Sequence, residues 1–193
     1  MEVINIETPW PHFEVKHFLT ADECSLVKEN FKVADTPCDS KPITKHFAIK
    51  LRDYKIMESR FMELLDQLDF NFDKDTMKFT CMCHQLAPNA IYKIHNDAKK
   101  KIVSFVLHIS EQANGTKLYD KDQIFVKETG WHFCGGAGFL RDEHTWHSFD
   151  NLNNTKVRQT ILMNIIKIDP ERLETLTDRL MNIMKNKPEE RLG

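Results

Sequence analysis

Between residues 77 and 168 the chain breaks into short β-prone runs, with turn signals between them and no helical period. The runs cover 78–86, 101–109, 117–119, 123–126, 131–134, 138–141 and 157–168. Pro88-Asn89, Asn114-Gly115, Thr129-Gly130, Gly135-Gly136 and the asparagine cluster at 151–154 separate them. Many short strands at this spacing, without helices between them, point to an antiparallel sandwich or jelly roll.

Helices are expected on either side of this region. Thr20-Ala-Asp-Glu23 has capping-box spacing and opens a helix to about residue 32. Asp53 starts a second, with Met57, Phe61, Leu64, Leu65 and Leu68 on one face. Asp169-Pro170-Glu171 opens a third, striped by Leu173, Leu176, Leu180 and Ile183. The stripes read as core contacts. The 193 residues are therefore expected to form one domain, mainly β with flanking helices. Its parts are a helical N-terminal section at about 1–76, a β core at about 77–168 and a C-terminal helix at about 170–185.

Composition excludes some function classes. Hydrophobic residues at 41%, with 13 Phe, argue against disorder. A net charge of −2 excludes the broad basic field of a nonspecific nucleic-acid binder. The best apolar run, 102–109, is interrupted by Ser104 and His108 and is far short of the roughly 20 residues that span a bilayer. No leader pattern precedes it, and the five cysteines show no repeated spacing. A reduced, cytoplasmic protein is expected. Cys81-x-Cys83 lacks a second pair for zinc, so its thiols read as small apolar groups on one strand face.

The chemistry rests on His95-Asn96-Asp97, His147 and Arg158. Side chains two apart on a strand share a face, so His95 and Asp97 can point together into a barrel mouth. A histidine from a distant strand would complete a two-histidine, one-carboxylate facial site with open positions, as in non-haem Fe(II) oxygenases. His147 follows His95 by 52 residues, and Arg158 follows His147 by 11. Arg158 and Thr160 again share a face, and a guanidinium beside a hydroxyl suits a carboxylate.

In this order the residues resemble the 2-oxoglutarate/Fe(II)-dependent oxygenase superfamily, in its prolyl-4-hydroxylase-like branch of small bacterial and phage members. Pro11-His12-Phe13, Phe18-Leu19, the run 101–110 and Gly115-Thr116-Lys117-Leu118-Tyr119 match as well. The resemblance implies a double-stranded β-helix core and a hydroxylase. It implies Fe(II) on His95, Asp97 and His147, and 2-oxoglutarate held at its far carboxylate by Arg158 with Thr160. Dioxygen and an unidentified peptide or small-molecule substrate would react at a C–H bond, releasing succinate and carbon dioxide. Leu86 and Asn89 fall where the family often has Tyr and Gly, so one tyrosine contact is missing or supplied elsewhere. His108 falls where a tyrosine often reaches the far carboxylate; it either takes that role or is a satisfied core histidine.

His144 stands three residues before His147 and would face the opposite way on a strand, which makes it a loop residue. His132 and Cys134 share a face with no metal need left to fill, and His12, His17, His46 and His84 show no partner in sequence. Lys99-Lys100-Lys101 reads as a solvated strand entry, or as attraction for an anion at the cleft rim. Substrate recognition is expected on loops 34–45 and 111–115. Two rivals remain: a cupin-like metal enzyme that does not use 2-oxoglutarate, and a non-catalytic β-sandwich module. Neither needs Arg158-x-Thr160.

Overall fold

Alternation along extended backbone decides how this chain separates its core from its cavity. The structure, a computed structural model, describes residues 1–31, 44–111 and 113–168. Among them the order is β1 (Glu2–Ile6), β2 (His12–Lys16), α1 (Ala21–Lys28), β3 (Thr44–Phe47), α2 (Leu51–Gln67), β4 (Met77–Leu86) and β5 (Ile91–His95). Then follow β6 (Lys101–His108), β7 (Thr116–Tyr119), β8 (Phe125–Glu128), β9 (Gly136–Leu140), β10 (His147–Asp150) and β11 (Arg158–Lys167). Two antiparallel sheets result, ordered β1-β2-β9-β6-β11-β4-β3 and β5-β10-β7-β8. This is the mainly β, jelly-roll architecture expected from the strand pattern.

β11 lies near the middle of the large sheet, paired along its full length with β4 and along most of it with β6. Its Ile161, Met163 and Ile165 are fully buried, as are Val103 and Leu107 of β6 and Cys83 of β4. These side chains meet Met57, Phe61, Leu64 and Leu65 of α2 in one apolar cluster. Burial raises the Cys83 thiol to about 12, so it behaves as the small apolar group expected. The opposite face of β11 carries Arg158, Thr160, Leu162 and Asn164, and the last two line a cleft together with His147 and Phe149 of β10.

The helices follow the local signals at their starts, although α1 ends at Lys28 and not near residue 32. Thr20 and Glu23 form the expected reciprocal capping box on α1. α2 begins at Leu51, two residues before Asp53. Asp53 is not its cap: it is fully buried and accepts from Asn30 Nδ2 at 2.7 Å and Arg52 Nε at 2.8 Å. The helix expected at 170–185 lies outside the described residues.

Other expectations differ. The N-terminal section begins with strands, because His12–Lys16 finds an open edge on β9 and β1 pairs onto β2. Residues 131–134 form a turn, not a strand. There Cys134 takes a left-handed φ of 56° and lets the chain double back, with its N–H on His108 O at 3.0 Å. A side chain at Gly135 would collide with the Val15 carbonyl, so the turn needs glycine there. Cys24 and Cys134 are joined in a disulfide across 110 residues of sequence, contrary to the expected reduced state. Odd cysteine number and uneven spacing could not reveal a pair that only the packing of α1 on this turn brings together. Among the described residues no helix is long and apolar enough to cross a membrane.

Phe61 packs its ring 5.5 Å from Phe79 and 6.0 Å from Phe105, with no exposure. Phe61→Ala should lower unfolding free energy by about 3–5 kcal/mol, read as a lower urea midpoint at unchanged slope.

Candidate active site

His95 ends β5 and His147 begins β10, and the two are direct cross-strand partners. Their rings therefore share a face, with centroids 4.2 Å apart. Asp97 is not on the strand, as its spacing to His95 had suggested, because β5 stops at His95. The connector is aimed instead by Asn96. Its amide donates to Asp142 O at 2.9 Å and Glu143 O at 2.7 Å, and its Oδ1 accepts from the Asp97 N–H and the Thr145 hydroxyl. One ligand atom each from His95, Asp97 and His147 lies within 4.8 Å of the others. His144 is exposed and outside this group.

The protonation states suit a divalent cation. Nδ1–H of His95 donates to Lys93 O, and that of His147 to Thr145 O, both at 2.9 Å. Each leaves Nε2 with a free lone pair. Burial, with His95 close by, lowers His147 to about 4 and keeps it neutral. Burial opposes the charge on Asp97, but the Lys101 ammonium at 2.7 Å, His147 and the Ser104 hydroxyl outweigh it and hold the carboxyl below its ordinary range. Of the three lysines, Lys101 thus turns inward, while Lys99 and Lys100 are exposed. Two imidazoles and one carboxylate are a fitting donor set for Fe(II). They open on a narrow cleft of about 70 Å³ walled by Trp10, His12, Leu118 and Phe139.

A second charge cluster surrounds Arg158. Arg158 is 1% exposed, and burial lowers its pKa to about 10, which still leaves it charged at neutral pH. Nε donates to Asn114 O at 3.2 Å, while Nη2 has no partner among the described residues. Its guanidinium carbon lies 5.1 Å from the Trp131 ring centre and 5.0 Å from that of Phe149. Of the nearby acids, Asp150 is taken by Lys117 and Asn114, and Glu128 accepts from the Gly115 N–H. Among the described residues, Arg158 forms no ion pair.

His108 and Thr160 are cross-strand partners and fully buried beside it. His108 stacks on Trp131 at 3.9 Å, and its Nδ1 accepts from the His132 N–H. The ring proton is therefore on Nε2, which has no partner among the described residues. His108 is thus only half satisfied by the core, and the unmet half is a donor. Burial and the Arg158 charge hold it neutral. A guanidinium and an imidazole N–H, both buried and unmatched, fit a carboxylate.

Sequence reasoning missed His84, which reaches Thr160 from β4, and Tyr92, which stacks on Phe149 at 4.5 Å and lies 4.9 Å from His95. Neither has a local signal, since each reaches the site through strand register. Ser104 was legible: it interrupts an apolar run four residues before His108, on the same strand face. His132 is engaged by Glu14 at 2.7 Å, and Leu86 is fully buried beside Arg158 in register.

His95→Ala, Asp97→Ala and His147→Ala should each abolish metal binding in an anaerobic Fe(II) titration, while His144→Ala retains it. In the metal-free protein, His84 (lowered to about 3), His147 (about 4) and His108 bind fewer protons folded than unfolded. Their contribution to stability is complete above about pH 6.5 and is lost as pH falls toward 4 and then 3. Urea midpoints measured from pH 7 to pH 4 should therefore fall, and less so for His84→Phe.

No family model matches the chain, and no curated protein matches it by sequence. Solved structures do. A prolyl-4-hydroxylase from Pseudomonas putida superposes with a TM-score of 0.58 at 16% identity, covering 82% of this chain and 93% of its own. A viral collagen prolyl hydroxylase from Paramecium Bursaria Chlorella virus-1 gives 0.58 at 12%, covering 81% and 90%. A prolyl hydroxylase from Trichoplax adhaerens, in complex with a hypoxia inducible factor peptide fragment, gives 0.61 at 14%, covering 86% of both chains. At these identities the likeness is one of fold: the chain has a prolyl-4-hydroxylase-like jelly roll.

Proposed function

We propose that the chain is a single-domain Fe(II)- and 2-oxoglutarate-dependent dioxygenase. It hydroxylates a C–H bond of a peptidyl proline or a small molecule and releases succinate and carbon dioxide. The observation that carries this reading is Arg158, a buried guanidinium with an unmatched Nη2 in the same barrel as the triad. A buried cation without a counter-ion is costly, and the far carboxylate of 2-oxoglutarate would supply one. Bound Fe(II) supplies the redox chemistry that couples cosubstrate decarboxylation to hydroxylation with dioxygen. His95, Asp97 and His147 hold the metal. Arg158 receives the far carboxylate, with His108 and Thr160 beside it. Trp10, Leu118 and Phe139 exclude water from the cleft.

The peptide complex of the Trichoplax adhaerens neighbour supports a peptide substrate. The near-neutral charge disfavours a nucleic acid. A cytoplasmic setting belongs to the same reading.

Arg158→Ala should weaken 2-oxoglutarate binding by about 30- to several-thousand-fold, the range for truncating one partner of a desolvated charge pair, while Fe(II) binding stays intact. Thr160→Val should weaken it less. Anaerobic 2-oxoglutarate titration at fixed Fe(II) measures both. Unchanged affinity in Arg158→Ala would favour a cupin-like enzyme that does not use 2-oxoglutarate.

A further inference from the structure

One row of the large sheet crosses four strands on its inner face: His46 on β3, His84 on β4, Thr160 on β11 and His108 on β6. His84 is 1% exposed, and its Nδ1 lies 3.2 Å from Thr160 Oγ1. Thr160 is fully buried, and His84 Nδ1 is the acceptor its hydroxyl has. The hydroxyl therefore donates to Nδ1, and the His84 proton sits on Nε2. Among the described residues that N–H is buried without a partner, as are His108 Nε2–H and Arg158 Nη2. Three unmatched donors thus come from three adjacent strands, β4, β6 and β11.

Their surroundings draw them together. The His84 ring meets Phe149 edge-on at 5.3 Å, and Phe149 lies 5.0 Å from the Arg158 guanidinium carbon. Burial lowers the His84 pKa to about 3, and the charge of Arg158 adds to the effect. His84 is therefore a neutral donor beside a permanent cation. Leaving even one buried donor unmatched is unfavourable, and three together call for a multidentate acceptor.

We propose that His84 is a further cosubstrate-binding residue. Its Nε2–H donates to the far carboxylate of 2-oxoglutarate alongside His108 and Arg158, and Thr160 acts by fixing the tautomer of His84. This rests on the 2-oxoglutarate reading above. It gives the carboxylate two imidazole donors in addition to the guanidinium.

The test is calorimetric binding of 2-oxoglutarate to the Mn(II)-loaded full chain without dioxygen. His84→Asn keeps a polar group near Nδ1 and withdraws the Nε2 donor. His84→Gln places an amide N–H close to the Nε2 position. His84→Asn should weaken 2-oxoglutarate binding about 10- to 100-fold, and His84→Gln should retain most of the affinity. Mn(II) affinity should be unchanged in both. 2-Oxobutyrate, which lacks the far carboxylate, should bind wild type and His84→Asn equally. Wild-type affinity for 2-oxoglutarate in His84→Asn would overturn the proposal. Equal loss of both ligands would overturn it too, since that marks a structural effect. Absence of 2-oxoglutarate binding by the wild type would instead remove the functional reading itself.

Discussion

The ladder that β11 makes with β4 on one side and β6 on the other is the constraint on which the rest depends. Its register runs unbroken from Arg158 opposite Leu86 to Lys167 opposite Met77. Because side chains alternate, one register choice sends Ile161, Met163 and Ile165 to the helices and Arg158, Thr160 and Asn164 to the cavity. A slip of one residue would exchange the two sets. It would bury a guanidinium in the apolar core and expose three branched or flexible apolar side chains to the cleft. The stability of the core and the placement of the site are thus the same decision.

The cavity is built from groups that each lack something. His95 and His147 donate through Nδ1 and keep their Nε2 lone pairs free. Asp97 is held ionised by Lys101 and Ser104. In the second cluster the deficiency is reversed: Arg158, His84 and His108 carry donors with nothing among the described residues to accept them. Acceptors gather at the triad and donors around Arg158. Such a gradient suits a ligand that meets a cation with one end and presents a carboxylate with the other.

His108 is fastened from outside the sheet. His108 donates its N–H to Gly135 O, and its own carbonyl accepts from Cys134. Its Nδ1 accepts from the His132 N–H, and its ring is stacked on Trp131. All four residues belong to one turn, which Glu14 holds through His132 and Gly130, and Cys24 holds through Cys134. A buried donor keeps its direction when the groups around it cannot relax, so this turn belongs to the site although it touches no metal ligand.

The sequence by itself determined the long strands, the first two helices and the chemical inventory, but not the strands at 2–6, 12–16, 44–47, 91–95 and 147–150. Short runs of β-branched and aromatic residues specify strands, Thr20 and Glu23 specify a cap, and His95, Asp97, His147 and Arg158 are residue types with few other uses in a β core. These signals are local, so they survive without knowledge of the fold. Only the tertiary structure decided which elements meet. The 131–134 run has strand composition, yet the chain reverses there because β9 must return beside β6. Residues 2–16 join the large sheet because β9 offers them an edge. Asp97 reaches the triad through Asn96 and not through strand alternation. His84 enters the donor cluster, and Cys24 meets Cys134, across 76 and 110 residues of chain. Pairing over such distances is set by register and packing, which no single stretch of sequence contains.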